Sequence, residues 1–241
     1  MKLISKVLDN QNVVGGFTTR WGGSGETPFN NFNLALHVGD DRKMVLKNRK
    51  VLAEELGVEI ENIVWMNQVH SDNIQIVEQG GEAIQTDGLI TKRRELVLLV
   101  LVADCIPILF YDAVKEIVAV VHAGREGTFQ NISGKMITKF KKEFNSSPED
   151  IQVFFGPSIQ KKCYEVGGNI VKEFKDKWGI EYIYNITNLD LPLLNKDQLL
   201  QEGVLVENIK LSKICNHCDE NYFSYRRNQK TGRFAGIIFL Q

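Results

Sequence analysis

Residues 96–128 read LVLLVLVADCIPILFYDAVKEIVAVVHAGREGT, and the rest of the chain is organised around them. Two apolar runs, Pro107 to Tyr111 and Glu116 to Ala123, flank a short polar break, Asp112 to Lys115. Both runs are rich in Val, Ile and aromatic residues, which predicts paired strands joined by a tight turn. If Tyr111 pairs with Glu116, then Phe110 meets Ile117 and Cys105 meets His122. Opposed residues on one sheet face have Cβ atoms about 5 Å apart. A thiolate and an imidazole that close can share a metal ion, or act as nucleophile and base. Pro107 cannot donate to the ladder, so its strand is expected at an edge or at a strand start. A slip of one residue would put the two groups on opposite faces.

Outward from this hairpin the signals are local. Phe129, Ile132, Met136, Ile137, Phe140 and Phe144 recur at helical spacing, which predicts a helix starting soon after His122 with its positive end toward that residue. Val13 to Thr19 reads as a first strand, followed by a glycine-rich loop, Arg20 to Gly25. The loop lacks the GxxxxGK[ST] phosphate-binding pattern. Asp41 is a candidate N-cap for a helix over 42–56 that Gly57 closes. Ile63 to Met66 reads as a strand, Thr86-Asp87-Gly88 as a turn before Leu89 to Thr91, and Ile151 to Phe155 as a strand. Ile170, Val171, Phe174 and Trp178 mark another helix, and Asn195 is a candidate cap for a helix around 196–202. Ile209 to Leu211 and Phe234 to Leu240 are late strands. No repeat or long linker interrupts the pattern, so one mixed α/β or α+β domain over 1–241 is the economical reading.

Composition narrows the function. With 29 basic and 30 acidic residues the formal net charge is −1, which gives no electrostatic case for nucleic acid or an anionic membrane as partner. Apolar content is 43% of 241 residues, ordinary for a soluble chain able to bury roughly 70–75% of its unfolded surface. The run Leu96 to Ala103 is too short to span a bilayer. The start, MKLISKVLDNQN, lacks a signal peptide's apolar core, so a cytoplasmic location is expected. There, the four cysteines are expected as thiols or ligands rather than disulfides.

The chain has four histidines, His37, His70, His122 and His217, so any histidine-rich site draws on a short list. His70 lies at a strand end, as Cys105 does. Two His and one Cys make a three-ligand zinc site, leaving a fourth position for water or substrate. The same donors with an axial Met describe a blue-copper centre, for which Met66 is nearest in sequence. A multicopper oxidase needs many more imidazoles than four. Cys215-Asn216-His217-Cys218 is a lone C-x-x-C without a partner pair. Cys163 has no readable role. The deaminase signature H-x-E…P-C-x-x-C is absent, since Glu126 lies four residues past His122 and no Pro precedes Cys215.

Several stretches, in order over nearly the whole chain, resemble the polyphenol-oxidase or laccase-domain family, now described as purine nucleoside phosphorylases. They are Thr18 to Gly23, Asn33-Leu34 with His37 to Asp41, Asn67 to His70, Thr86 to Gly88, Ala103 to Cys105, His122 to Gly124, Gly156 to Ile159, Cys163 to Val166 and Ser224 to Arg227. The resemblance places zinc ligands on His70, Cys105 and His122. It implies a single α+β domain of packed mixed sheets flanked by helices, distantly like a cysteine-deamidase toxin. It also implies purine nucleoside and phosphate as substrates, and adenosine deamination as a further activity. Asp104 and His37 are then candidates for handling the purine or the ribose hydroxyls. Arg20, Gln68, Arg125 and Arg226 are candidates for binding phosphate or substrate. One departure stands out: where the family usually reads HAGWRG, this chain has His122-Ala123-Gly124-Arg125-Glu126-Gly127. Two other readings stay open, a metal-free cysteine hydrolase acting on peptidoglycan precursors and a copper-binding polyphenol oxidoreductase.

Overall fold

The computed structural model describes residues 3–241. Its elements run β1 (Ile4–Asp9), β2 (Val13–Thr18), α1 (Arg42–Leu56), β3 (Ile63–Met66), β4 (Ile74–Ile76), β5 (Gly81–Ala83), β6 (Gly88–Thr91) and β7 (Val97–Val102). Then come β8 (Ile106–Asp112), β9 (Ile117–Ala123), α2 (Arg125–Phe129), α3 (Ile132–Phe144) and β10 (Ile151–Phe155). The last are α4 (Gly168–Trp178), β11 (Ile183–Tyr184), β12 (Asn188–Leu189), α5 (Leu191–Gln201), β13 (Ile209–Lys210) and β14 (Phe234–Leu240). Two six-stranded mixed sheets result, ordered β1-β2-β14-β7-β3-β5 and β13-β10-β8-β9-β6-β4, with a two-stranded β11-β12 ribbon beside them. This is the α+β architecture expected.

The uniform apolarity of β7, β8 and β9 has a structural cause: both faces of each strand are covered. Leu98 and Val100 of one sheet meet Leu109, Tyr111, Val118 and Val120 of the other in a shared layer. The alternate residues Ile108, Phe110, Ala119 and Val121 pack on Ile132, Met136, Ile137 and Phe140 of α3. Val97, Leu99 and Leu101 turn instead toward Leu52 and Ala53 of α1. Period-two patterning vanishes when neither face is wet.

The hairpin forms in a different register from the one expected. Asp112 pairs with Ile117, Leu109 with Val120 and Pro107 with His122. The turn keeps its four residues but sits one position further along the chain, because Asp112 Oδ1 accepts the N–H groups of Val114 and Lys115 and holds the turn within Ala113–Glu116. Cys105 therefore does not oppose His122; it lies two residues before the residue that does. A shift of two keeps the parity of the pleat, so Cys105 and His122 still share the face turned toward the other sheet. Pro107 sits near the start of β8, as expected, but β8 is central, between β10 and β9. The Pro107 carbonyl accepts from Gly156 N.

Helix α1 matches its sequence signals. The Asp41 carboxylate accepts from Lys43 N, and Gly57 adopts the left-handed C-cap at φ 68°. Three other expectations need correction. An edge strand, β1, precedes the first one read; most of its residues are exposed, so no apolar alternation marks it. The helix after His122 is split: Asn131, at φ 65°, caps α3 separately, so only the five-residue α2 directly follows the histidine. Asn195 is no cap. Helix α5 begins at Leu191 with Asp190 as its N-cap, and Asn195 is buried inside it. Its amide donates to Thr128 Oγ1 and the Leu191 carbonyl and accepts from Ser133 Oγ. Asn195→Ala would strand the Ser133 and Thr128 hydroxyls without solvent. It is expected to lower stability by about 2–3 kcal/mol, read as a reduced urea midpoint at unchanged slope.

Candidate metal centre

Two crossings between the sheets, β3 to β4 and β7 to β8, meet the end of β9. His122 is the penultimate residue of β9. Cys105 lies in the bend where the chain leaves β7 in one sheet and enters β8 in the other. This crossing requires Asp104 at φ 95°, a region that L-residues rarely occupy. His70 follows β3 in a turn and adopts φ 60°.

Asp87 sets up that turn. It is fully buried, and its carboxylate accepts the backbone N–H groups of Val69, His70 and Ser71 together with the Ser71 hydroxyl. Its Oδ1 also lies 2.7 Å from His122 Nδ1. One side chain thus fixes the loop that carries His70 and orients the ring of His122. With Nδ1 committed, Nε2 of His122 is left to face Cys105 and His70, the arrangement by which carboxylates orient metal-binding imidazoles.

The potential ligand atoms of His70, Cys105 and His122 all lie within 4.8 Å of one another, and the two rings meet edge-on at 4.8 Å between centroids. A tetrahedral zinc with bonds of about 2.0–2.3 Å needs ligand atoms roughly 3.3–3.8 Å apart. Small side-chain rotations bring the trio to that spacing. Gly124 keeps the space clear: a Cβ there would lie 3.0 Å from Cys105 Sγ and 3.3 Å from His70 Cδ2. The donor set and its packing therefore fit a single cation. Burial alone would raise the Cys105 thiol, but the charge and hydrogen bond of His122, with a further hydrogen bond from His70, bring it to about 6. Burial would likewise lower His122, and the Cys105 thiolate with Asp87 holds it at about 9. Asp87, which burial would raise, is drawn down to about 2 by His122 and Ser71. A thiolate–imidazolium–carboxylate chain is the consequence.

The trio opens into a cavity of about 440 Å³, also lined by His37, Gln68, Asp104, Arg125, Tyr164, Tyr225, Arg226 and Arg233. Most of the residues singled out in the sequence converge here, and their bonding refines the roles expected of them. Gln68 faces the cavity, but its amide is spent on both backbone groups of Leu101, at 2.9 Å each. Asp104 accepts from Asn216 Nδ2, Ser224 Oγ and Arg226 N, so its carboxylate braces the wall beside Cys105. His37 is lowered by burial and by the charges of Arg233 and Arg49, which keeps its imidazole neutral. Arg125 reaches the cavity while paired to Glu126 Oε1 at 2.6 Å. The Arg226 guanidinium donates to the carbonyls of Cys163 and Glu165. Arg20 is placed elsewhere: it donates to Asn30, lies over Phe223 and is not among the lining residues. Met66 packs in the layer between the sheets and does not line the cavity, which leaves a blue-copper site without its axial ligand.

Four contributors escaped the sequence reading: Asp87, Tyr164, Tyr225 and Arg233. Asp87 lies in a Thr-Asp-Gly turn, where an exposed aspartate is ordinary, and nothing local marks it as buried. Arg233 is a fixed charge directly before the apolar terminal strand, the one signal available for it.

Known proteins resemble this chain over nearly its full length. A relative from Bacillus subtilis named purine nucleoside phosphorylase YlmD is 34% identical, with 97% of this chain and 90% of the relative covered. A purine nucleoside phosphorylase from Corynebacterium glutamicum is 37% identical, with 96% of each covered. Among solved structures, Bacillus licheniformis hypothetical protein YfiH superposes with a TM-score of 0.92 at 31% identity, covering 98% of this chain and 99% of that one. YlmD from Geobacillus stearothermophilus gives 0.90 at 35% identity, covering 95% and 92%. Residues 14–241 match the family model described as multi-copper polyphenol oxidoreductase laccase, and the chain belongs to that family.

Proposed function

We propose that the chain is a zinc-dependent purine nucleoside phosphorylase, one domain spanning 1–241, that converts a purine nucleoside and phosphate to free base and ribose 1-phosphate. The observation that carries this reading is the position of the His70–Cys105–His122 trio in the wall of a cavity that also presents Arg125, Arg226 and Arg233. The names of the relatives support it. The family's name suggests several copper ions, but four histidines in the whole chain do not supply them, and the thiolate and two imidazoles of the trio suit zinc.

In phosphorolysis a phosphate oxygen bonds to C1′ of the ribose, the C1′–N9 bond breaks, and its electron pair leaves with the purine, which takes up a proton. Zinc, when bound, supplies Lewis-acid polarisation of an oxygen at this centre. The arginines hold the phosphate through charge-assisted hydrogen bonds. The neutral His37 ring can donate to one polar group of the nucleoside and accept from another. Burial and the nearby Cys105 thiolate push the Tyr164 phenol up to about 12, so it remains a proton donor in the wall. Adenosine deamination is the second activity inferred for the cavity, with water delivered to the purine C6 and ammonia released. The assay offers adenosine or inosine with phosphate, and measures ribose 1-phosphate and ammonia separately. Ribose 1-phosphate formed only in the presence of phosphate supports the reading; its absence with every purine nucleoside rejects it.

The low Cys105 pKa beside an imidazolium favours one further reading, a metal-free cysteine hydrolase. Alkylation of Cys105 in metal-stripped, still active protein would support that instead. The free state of all four cysteines fits a reducing compartment, and no described helix is long and apolar enough to cross a membrane.

The Arg125–Glu126 pair has a measurable consequence. Glu126 shares the guanidinium and places a negative charge near the anion. Glu126→Gln should lower KM for phosphate about two- to fivefold with kcat little changed, since a half-exposed pair contributes at most about 1 kcal/mol. Initial rates against phosphate concentration check this.

A further inference from the structure

Outside the cavity, folding gathers a second set of metal-type ligands. Cys163, far from the C-x-x-C string in sequence, comes to lie beside it. The sulfurs of Cys163, Cys215 and Cys218 are all within 4.8 Å of one another, and Cys163 Sγ is 3.5 Å from Cys218 Sγ. Three thiolates around one zinc-sized cation with bonds of about 2.3 Å are roughly 3.8 Å apart. The observed spacing brackets that value.

The Cys215 carbonyl accepts from Cys218 N and Asp219 N. The C-x-x-C thus forms a tight turn. No helix follows it, so the helix N-terminus that a redox C-x-x-C requires is missing. A disulfide between Cys163 and Cys218 would use two sulfurs and leave out Cys215, whose sulfur lies within 4.8 Å of both. A cation uses all three. Cys218 is exposed and the other two are partly exposed, which gives an entry path.

We propose that Cys163, Cys215 and Cys218 form a second metal site, for a thiophilic divalent cation of the zinc class, with water completing the coordination. It would tie together two parts of the cavity wall. The Cys163 carbonyl holds Arg226 Nη1, and Asn216, inside the C-x-x-C, donates to Asp104 Oδ1 next to Cys105. The site stands independently of the activity assigned to the cavity.

The test uses full-length Cys105→Ala protein, which lacks the first site's thiolate, stripped with chelator and kept reduced with a phosphine. Reloaded with zinc and desalted, it should retain about one zinc per chain. Reloaded with cobalt(II), it should show the strong near-ultraviolet thiolate-to-cobalt band of a multi-thiolate site. Adding Cys163→Ser should abolish zinc retention, and adding Cys218→Ser should cut the cobalt band by at least a third. Circular dichroism verifies folding in each. Absence of both zinc and the cobalt band from Cys105→Ala protein that remains folded overturns the proposal, with no need of the further variants. So does a cobalt band that Cys163→Ser leaves unchanged in folded protein.

Discussion

Replacing Cys105 by alanine is expected to abolish ribose 1-phosphate formation while leaving the fold in place. Cys105 is the one sulfur of the cavity trio, and neither imidazole can replace it as the anionic ligand. Loss of the cation removes several kcal/mol of transition-state stabilisation. Taken as about 4 kcal/mol, this is roughly a thousandfold in kcat/KM. Metal content should fall by about one equivalent per chain, and deamination should be lost with phosphorolysis. The variant retains the hairpin pairs from Ile106 to Asp112, so its melting temperature reports whether the effect is local. Phosphorolysis within tenfold of the parent, in protein that has lost that equivalent, would remove the cation from the account and leave the arginines as its only support.

Asp87→Asn is expected to damage metal binding and stability together, although Asp87 is not itself a ligand. Each carboxylate oxygen accepts more than one hydrogen bond: Oδ1 from His70 N and His122 Nδ1, and Oδ2 from Val69 N, Ser71 N and Ser71 Oγ. An asparagine must point its NH2 at one of these two sets, so buried donors face a donor in either orientation. Loss of an orienting partner typically costs 10- to 100-fold in metal affinity, and about 2–3 kcal/mol of stability should go with the stranded donors. Competition with a chelating dye measures the first, and urea unfolding the second. Acid sensitivity supplies a further signature. A carboxyl held at about 2 in the folded protein, against 3.8 otherwise, contributes stability that is present above pH 4 and lost as pH falls toward 2. Asp87→Asn should flatten that acid limb. Zinc affinity equal to the parent's would show that the turn and the His122 ring are set by their packing alone.

The contrast between Cys105 and Asp87 shows what was legible in the chain before it folded. Elements whose signals are local came through well. Helix α1, with Asp41 and Gly57 at its ends, and strands β10 and β14 have the limits expected. Buried strands announce themselves as unbroken apolar runs, and an aspartate followed by helical periodicity announces a cap. The trio was legible because metal-binding residue types are scarce in this chain and a hairpin brings two of them near each other. Even a register wrong by two residues kept Cys105 and His122 on one face, because the pleat repeats every two.

What stayed hidden depends on partners distant in sequence. Asp87 matters through His122, 35 positions away. Cys163 acquires its neighbours from a turn 55 positions later. Arg20 illustrates the converse. The family resemblance makes it a candidate for binding phosphate or substrate, but the guanidinium faces Asn30 and the ring of Phe223. No spacing rule reports which way a loop residue will face once packing is complete. The edge strand β1 carries no signal of its own, because its mostly exposed residues show no alternation.

The central claim, that the trio works through a bound cation, is tested most directly by removing and restoring the metal in the unaltered protein. Chelator-stripped protein, assayed with a purine nucleoside and phosphate, should form ribose 1-phosphate at a background rate and regain full activity on addition of zinc. Stripped protein that is free of metal by mass spectrometry yet turns over at the full rate would contradict the claim outright.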